Sequence, residues 1–209
     1  MPHPRFLRRT ILAIALTWPL TLLHAQAPPA ATETSADSVA GQLLVASPDI
    51  GDDRFAGAVI LMIGQSKDGA FGIVINRPVE DRSIAELLQS IGQSDEGVEG
   101  SVTVHAGGPV QEGIGFVIHS AEYHRDGTIK VTDRIALTSN ATILRDIGHR
   151  KGPTKALIAF GYAGWGPGQL EREMEQKAWA TTAADPALVF DEDRSRVWEL
   201  AWARRAISL

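Results

Sequence analysis

The chain has 209 residues, 44% hydrophobic and 22% charged, with 20 Lys and Arg against 25 Asp and Glu for a formal net charge of −5. That profile excludes a disordered tail, a collagen-like repeat and a polytopic membrane protein, and the length suits one well-buried domain with some appended sequence. The acidity argues against a sequence-independent grip on phosphate backbones, and the lack of cysteine removes disulfides, thiolate metal sites, iron–sulfur clusters and Cys nucleophiles.

Residues 1–25 read as a secretory signal peptide. Arg5, Arg8 and Arg9 form a basic start, Thr10 to Leu23 carry no charge, and Ala25 and Ala27 supply the small residues that a signal peptidase needs. The apolar run is shorter than the roughly 20 residues that span a bilayer, which favours cleavage near Ala25 over an uncleaved anchor. Arg8-Arg9 weakly resembles a twin-arginine export signal. Without the three arginines of this leader, 17 basic residues face 25 acidic ones, a net of −8. Residues 26–40 are Ala, Pro, Thr and Ser with scattered acids, too little apolar surface to offset the entropy of ordering, and read as a disordered spacer. The folded domain is therefore placed at residues 41–209.

Within it, Gln42 to Ala46 and Ala58 to Ile63 are short, β-branched apolar runs that predict buried strands. Lys67-Asp68-Gly69 predicts a hairpin turn into a strand from Phe71 to Ile75, which Asn76-Arg77-Pro78 ends. Asp81 or Ser83 can cap a helix carrying Ile84, Leu87, Leu88 and Ile91, with Gly92 as its stop. Val102 to His105, Gly115 to His119 and Ile129 to Val131 read as strands, the last two joined around Asp126-Gly127. Ser139 is expected to cap a helix through Ile143, Leu144 and Ile147 that stops at Gly148. Ala156 to Phe160 reads as a buried strand, and the segment from Gly161 to Gly168 as a tight strand-to-helix crossing. Helices over Gln169 to Ala180 and Ser195 to Ala206 complete the chain, the latter with Trp198 and Trp202 four apart on one face. Paired strands with interspersed helices and no regular alternation predict an α+β fold, a single compact domain with a largely antiparallel or mixed sheet and flanking helices.

Leu43 to Pro48, Asp52 to Phe55, Asp68 to Pro78, Ala106 to Val110, Gly115 to His119 and Gly161 to Glu173, with Trp179 and Ala184-Asp185, together resemble the YqgE/AlgH family of bacterial proteins over nearly all of residues 41 to 205. The resemblance implies a compact α+β domain with a largely antiparallel sheet. Members are mostly uncharacterised, and the label of transcriptional regulator attaches to the alginate-linked branch. Two departures stand out. Members usually look cytoplasmic and begin close to the first strand, whereas this chain adds about 40 residues of leader and spacer. The family also tends to place an Asp just after the Ser where this chain has Ser139-Asn140.

The candidate binding residues are Asn76, Arg77, Gly107, Gly108, Pro109, His119, Tyr162, Trp165, Gln169 and Glu171, read as a groove for an unknown protein or small-molecule partner. Asn76 and Arg77 suit a carboxylate or phosphate, against a local ion pair of Arg77 with Glu80 or Asp81. The glycines before Gln169 could expose an anion-binding helix start, yet they match neither a dinucleotide fingerprint nor a Walker loop. His105, His119, His124 and His149 lack metal-ligand spacing, there is no Gly-x-Ser-x-Gly elbow, and Asp191-Glu192-Asp193 lacks the spaced oxygens of a calcium loop. No cofactor or metal is expected, and the acidity argues against nucleic acid as a partner. The favoured reading is a non-enzymatic, exported binding or accessory module of the periplasm. The alternatives are a cytoplasmic transcriptional regulator with a misassigned start, and a hydrolase built on His119 and a carboxylate.

Overall fold

The computed structural model of the chain describes residues 38–190 and 193–205. The signal peptide, nearly all of the spacer and Asp191-Glu192 of the acidic run lie outside them.

The strands are β1 (Gln42–Ala46), β2 (Val59–Ser66), β3 (Gly69–Val74), β4 (Pro78–Ser83), β5 (Ser101–Ala106), β6 (Val110–Ser120), β7 (Ile129–Lys130), β8 (Ile135–Thr138), β9 (Ala156–Trp165) and β10 (Trp179–Ala183). The helices are α1 (Ile84–Ser90), α2 (Thr142–Gly148), α3 (Gln169–Glu175), α4 (Pro186–Val189) and α5 (Val197–Ala203), with 3-10 turns at Asp53–Phe55 and Arg194–Arg196. The result is the α+β domain expected, with helices flanking one curled and largely antiparallel sheet.

That sheet runs β10-β1-β2-β3-β9-β6-β8-β7, and β5 joins it beside β9 with β4 outside β5. Among the described residues only the β5–β9 pairing is parallel, Val104 opposite Ile158 and Ala106 opposite Phe160. β9 ties the two halves together, pairing with β6 along its length and, at its C-terminal end, with β3 through Ala70↔Trp165 to Gly72↔Ala163.

Strand alternation sends neighbouring side chains to opposite faces. Leu43, Leu61, Ile73, Ile118 and Leu137 share one cluster with Leu188, Val197 and Ala201 of the C-terminal helices. Leu44, Ile60, Met62 and Val74 lie on the opposite face with Leu170 and Trp179, and α1 and α2 close a third cluster against Val104, Val117 and Ile158. Each large side chain so buried contributes about 1.5–3 kcal/mol.

The predicted β1–β2–β3 meander is present, as is α1, where Ser83 and Glu86 form a reciprocal capping box. Four features differ from the sequence expectation. Residues 78–83, polar and exposed, form edge strand β4, because β5 supplies its hydrogen bonds and no buried face is required. No β6–β7 hairpin forms around Asp126-Gly127: β6 pairs with β8, and β7 is a two-residue partner of β8. Ser139 does not cap α2. The Asn140 side chain does that work instead, its Oδ1 accepting from the Thr142 N–H at 2.9 Å. Finally, α3 stops at Glu175, and after a reversal at Lys177 (φ 60°) the chain becomes β10 rather than more helix.

Candidate functional site

The Gly161–Gly168 segment is not a loop through its first half. β9 continues through Tyr162 and Trp165, and the turn Gly107-Gly108-Pro109 packs against it. The Gly107 N–H donates to the Phe160 carbonyl at 2.7 Å, while the Gly107 carbonyl accepts from Val74 N–H at 2.8 Å, so the turn bridges the ends of β3 and β9. The backbone fit is close. Gly108 has φ +148°, and a Cβ there would be driven into the Tyr162 carbonyl group. Gly161, at φ +75°, has the same relation to the Gly108 oxygen. No L side chain fits either position without moving backbone.

Beside this seam, Asn76 and Arg77 brace the Asp53–Phe55 turn. Asn76 Oδ1 accepts from Val59 N–H at 2.9 Å and its Nδ2 donates to the Gly57 carbonyl at 2.9 Å. Arg77 donates to the carbonyls of Arg54 and Ala56, and burial pulls its pKa below the ordinary arginine value. The expected ion pair of Arg77 with Glu80 or Asp81 is not formed. Glu80 lies 3.7 Å from Arg82, and Asp81 accepts from Thr103 Oγ1.

The braced turn is one wall of a cavity of about 300 Å³. Asp52, Arg54, Phe55, Trp165, Glu173 and Trp179 line it, with Pro109 and Gln169 completing the wall. Glu173 is its hub. Its Oε2 accepts from the indole N–H groups of Trp165 at 2.9 Å and Trp179 at 2.8 Å, and its Oε1 accepts from Gln169 Nε2 at 2.8 Å. Helical spacing places Gln169 one turn before Glu173, and the reversal at Lys177 returns Trp179 to the same carboxylate. The rings interlock edge to face, with centroids 5.9 Å apart for Trp165–Trp179 and 5.5 Å for Phe55–Trp179. At the rim, Arg54 and Asp52 pair at 2.7 Å, and the hydrogen bond from Arg54 holds the Asp52 carboxyl below its usual range. A pocket with aromatic walls, the Glu173 carboxylate and an Asp52 charge already balanced by Arg54 suits a positively charged guest.

The structure thus gathers Pro109, Trp165 and Gln169 of the predicted groove, with Asn76 and Arg77 behind one wall and Gly107-Gly108 beneath. Three predicted residues lie elsewhere. Tyr162 packs between Phe71 and Phe116 in the opposite cluster. Glu171 accepts from Gln65 Nε2 at 2.7 Å on an exposed surface.

His119 is fully buried in a separate network. Its Nδ1 meets the Ser120 carbonyl at 3.0 Å and must carry the proton, so Nε2 accepts from Thr138 Oγ1 at 2.9 Å. Burial pushes its pKa down. A hydroxyl is therefore within reach of His119 and no carboxylate is hydrogen-bonded to it, but Thr138 is as buried as the histidine, which makes the pair an internal brace. Nearby, Asp146 accepts from Tyr123 Oη at 2.7 Å and Arg125 Nε at 2.9 Å. Among the described residues no group of three His, Asp or Glu side chains is placed to hold a metal.

Sequence reasoning missed Glu173, Trp179, Phe55, Arg54 and Asp52 as site residues. The Gln169 and Glu173 spacing on one helix face was a readable signal. The return of Trp179 was not, because it depends on where α3 ends.

The family model described as AlgH-like, a domain of unknown function (DUF179), matches residues 43–209. The chain belongs to the AlgH-like family. A relative named UPF0301 protein from Sphingopyxis alaskensis is 43% identical over 167 residues, covering 80% of this chain and 89% of the relative. One from Rhodospirillum rubrum is 43% identical over 151 residues, covering 72% and 79%. Among solved structures, the AlgH protein of Pseudomonas aeruginosa is similar with a TM-score of 0.68 at 33% identity, covering 83% of this chain and 92% of that one. A Corynebacterium diphtheriae protein shares the AlgH-like fold with a TM-score of 0.65 at 21% identity, covering 85% and 91%. The match to the AlgH-like family begins inside β1, so residues 1–42 lie outside it.

Proposed function

We propose that this AlgH-like protein is a non-enzymatic, exported binding module whose site is the cavity around Glu173 and whose guest is a small organic cation. The observation that carries the reading is that Phe55, Trp165 and Trp179 share one cavity with the carboxylates of Asp52 and Glu173. Aromatic rings attract cations through their quadrupoles, the Glu173 carboxylate adds charge attraction while Arg54 offsets the Asp52 charge, and the acidic chain favours cation approach. The three donors that hold Glu173 also fix both indoles, so little side-chain freedom is lost on binding.

Choline and its neutral carbon isostere dimethylbutanol test the cavity. Choline is expected to change tryptophan fluorescence saturably, the isostere to bind much more weakly, and Phe55→Ala to weaken choline binding in a folded protein. Equal binding of the two, or none of either, removes the cation reading. Export rests on the basic, apolar and small-residue order of residues 1–25. Cell fractionation with N-terminal sequencing is expected to find a chain starting near Gln26 in the periplasm. A cytoplasmic chain with its leader intact would overturn export and leave the cavity reading standing.

A further inference from the structure

A second cavity, of about 130 Å³, opens between α1, α2 and the facing stretches of β6 and β9. Its floor is Leu87, Ile143, Leu144 and Ile158, all buried in the cluster that the two helices close. Gly113 and Gly115 form one wall beside the Phe160 ring. Neither has a left-handed φ, and a Cβ on Gly113 would meet nothing within 4 Å. The backbone therefore does not demand glycine at residue 113. The effect of glycine there is to leave the space beside the floor open.

The lining narrows the guest. Every described residue that lines the cavity is uncharged, so neither a cation nor an anion gains a partner that offsets its desolvation. Thr138 also lines it, but its hydroxyl is already engaged by His119 and Thr128. Water at depth would lack the roughly two to four polar partners it needs, which favours an apolar guest. An apolar cavity of roughly 150 Å³ holds benzene, so this one takes a single ring and is too small for an acyl chain. At the rim, the Ser139 hydroxyl is exposed and does not cap α2. Asn140 lies beside it with Oδ1 committed to the Thr142 N–H, which leaves its amide N–H groups to donate. A hydroxyl on the ring can donate to Ser139 Oγ and accept from Asn140 Nδ2. Among the described residues, Ile91 is the one exposed large apolar side chain in the lining. That rim gives a protein partner little to hold against the roughly 800 Å² per side of a stable interface, and favours a free molecule.

We infer that this cavity is a binding site for a small phenol, an uncharged single-ring aromatic whose ring rests on Leu87, Ile143 and Ile158 and whose hydroxyl bonds to Ser139 and Asn140. The site is separate from the Glu173 cavity and selects by size and polarity instead of charge.

The test is methyl NMR of the whole protein labelled at isoleucine and leucine, titrated with phenol, benzene, benzoate and N-acetyltyrosinamide in turn. A bound ring displaces the methyl signals it touches. Phenol is expected to shift the Leu87, Ile91 and Ile143 methyls saturably, and benzene to do so about fivefold more weakly for want of a hydrogen bond. Benzoate, which is charged, and N-acetyltyrosinamide, which carries its ring on a peptide unit, should give no saturable shift. Ser139→Ala, an exposed change outside the core, should weaken phenol binding about fivefold and leave benzene binding unchanged. Gly113→Leu, placed where a side chain meets open space, should fill the cavity and abolish the phenol response. If that variant does not fold, the Ser139→Ala result decides. No saturable shift with phenol, equal binding of phenol and benzene, a saturable shift with benzoate or N-acetyltyrosinamide, or a phenol response that either folded variant leaves unchanged overturns the inference.

Discussion

Glu173 and Asp146 are the same device in two settings. Each is a carboxylate on a short helix that gathers donors: two indoles from neighbouring strands and an amide of its own helix for Glu173, a phenol and a guanidinium from the loop after β6 for Asp146. Around Asp146 the donors close on the carboxylate and Arg125 covers it, leaving it 12% exposed at the side chain. Burial would raise its pKa, but the hydrogen bonds from Tyr123 and Arg125 outweigh that and hold it below the usual aspartate range. Around Glu173 the gathered rings also line an open cavity. A hydrogen-bonded carboxylate is therefore no sign of function by itself; what distinguishes the two is the space left beside the partners.

The largest expected effect undermines the Glu173 region from beneath. Gly108→Ala forces a Cβ into the Tyr162 backbone and should cost about 3 kcal/mol or more, read as a collapse of the urea midpoint or loss of soluble protein. Asp146→Ala should cost about 2 kcal/mol in urea unfolding by stripping Tyr123 and Arg125 of their acceptor, and should leave choline binding unchanged. Glu173→Gln reverses that pattern. A neutral amide of the same shape costs about 1 kcal/mol in stability, while choline affinity falls about tenfold as the cavity loses the carboxylate that no cation pairs with. If Glu173→Gln destabilises as much as Asp146→Ala and leaves choline binding intact, the two carboxylates are both structural.

The smallest effect is with pH. Burial holds His105 and His119 below the ordinary histidine value, so the unfolded chain takes up protons first. Stability should be full above the unfolded value of about 6.5 and fall as pH drops through the folded values. A second decline follows in stronger acid. Glu122 is held at about 2: burial opposes this, but the Thr154 N–H and the Ser120 hydroxyl prevail. Its contribution is present above the ordinary glutamate range and lost as pH falls towards about 2. Thermal melts across that range read both steps, and His119→Gln should flatten the first.

What could be read from sequence follows the same division between local and distant contacts. Ser83 and Glu86 stand three apart, so their capping box is visible in the chain itself. The apolar runs of β1, β2 and β3 are equally plain. Edge strand β4 was hidden because Pro78–Ser83 carries no buried face, and the extension of β9 because Gly161 and Gly164 look like loop residues when their packing partners are unseen. The smaller part of the candidate site was legible, through Pro109, Trp165 and Gln169. Phe55 and Trp179, 124 residues apart in the chain, meet only through the order of β1, β2 and β10.

The position of β9 also dictates when the protein can become itself during synthesis. The strand that joins both halves of the sheet runs from residue 156 to residue 165, and its partners β3, β5 and β6 all precede it in the chain. Until it emerges from the ribosome, the β1–β3 meander and the β4–β5 pair have nothing to dock on, and β6 lacks its principal neighbour. Closure is a late, long-range event of the kind that slows folding. A chain with that timetable stays open through most of its translation.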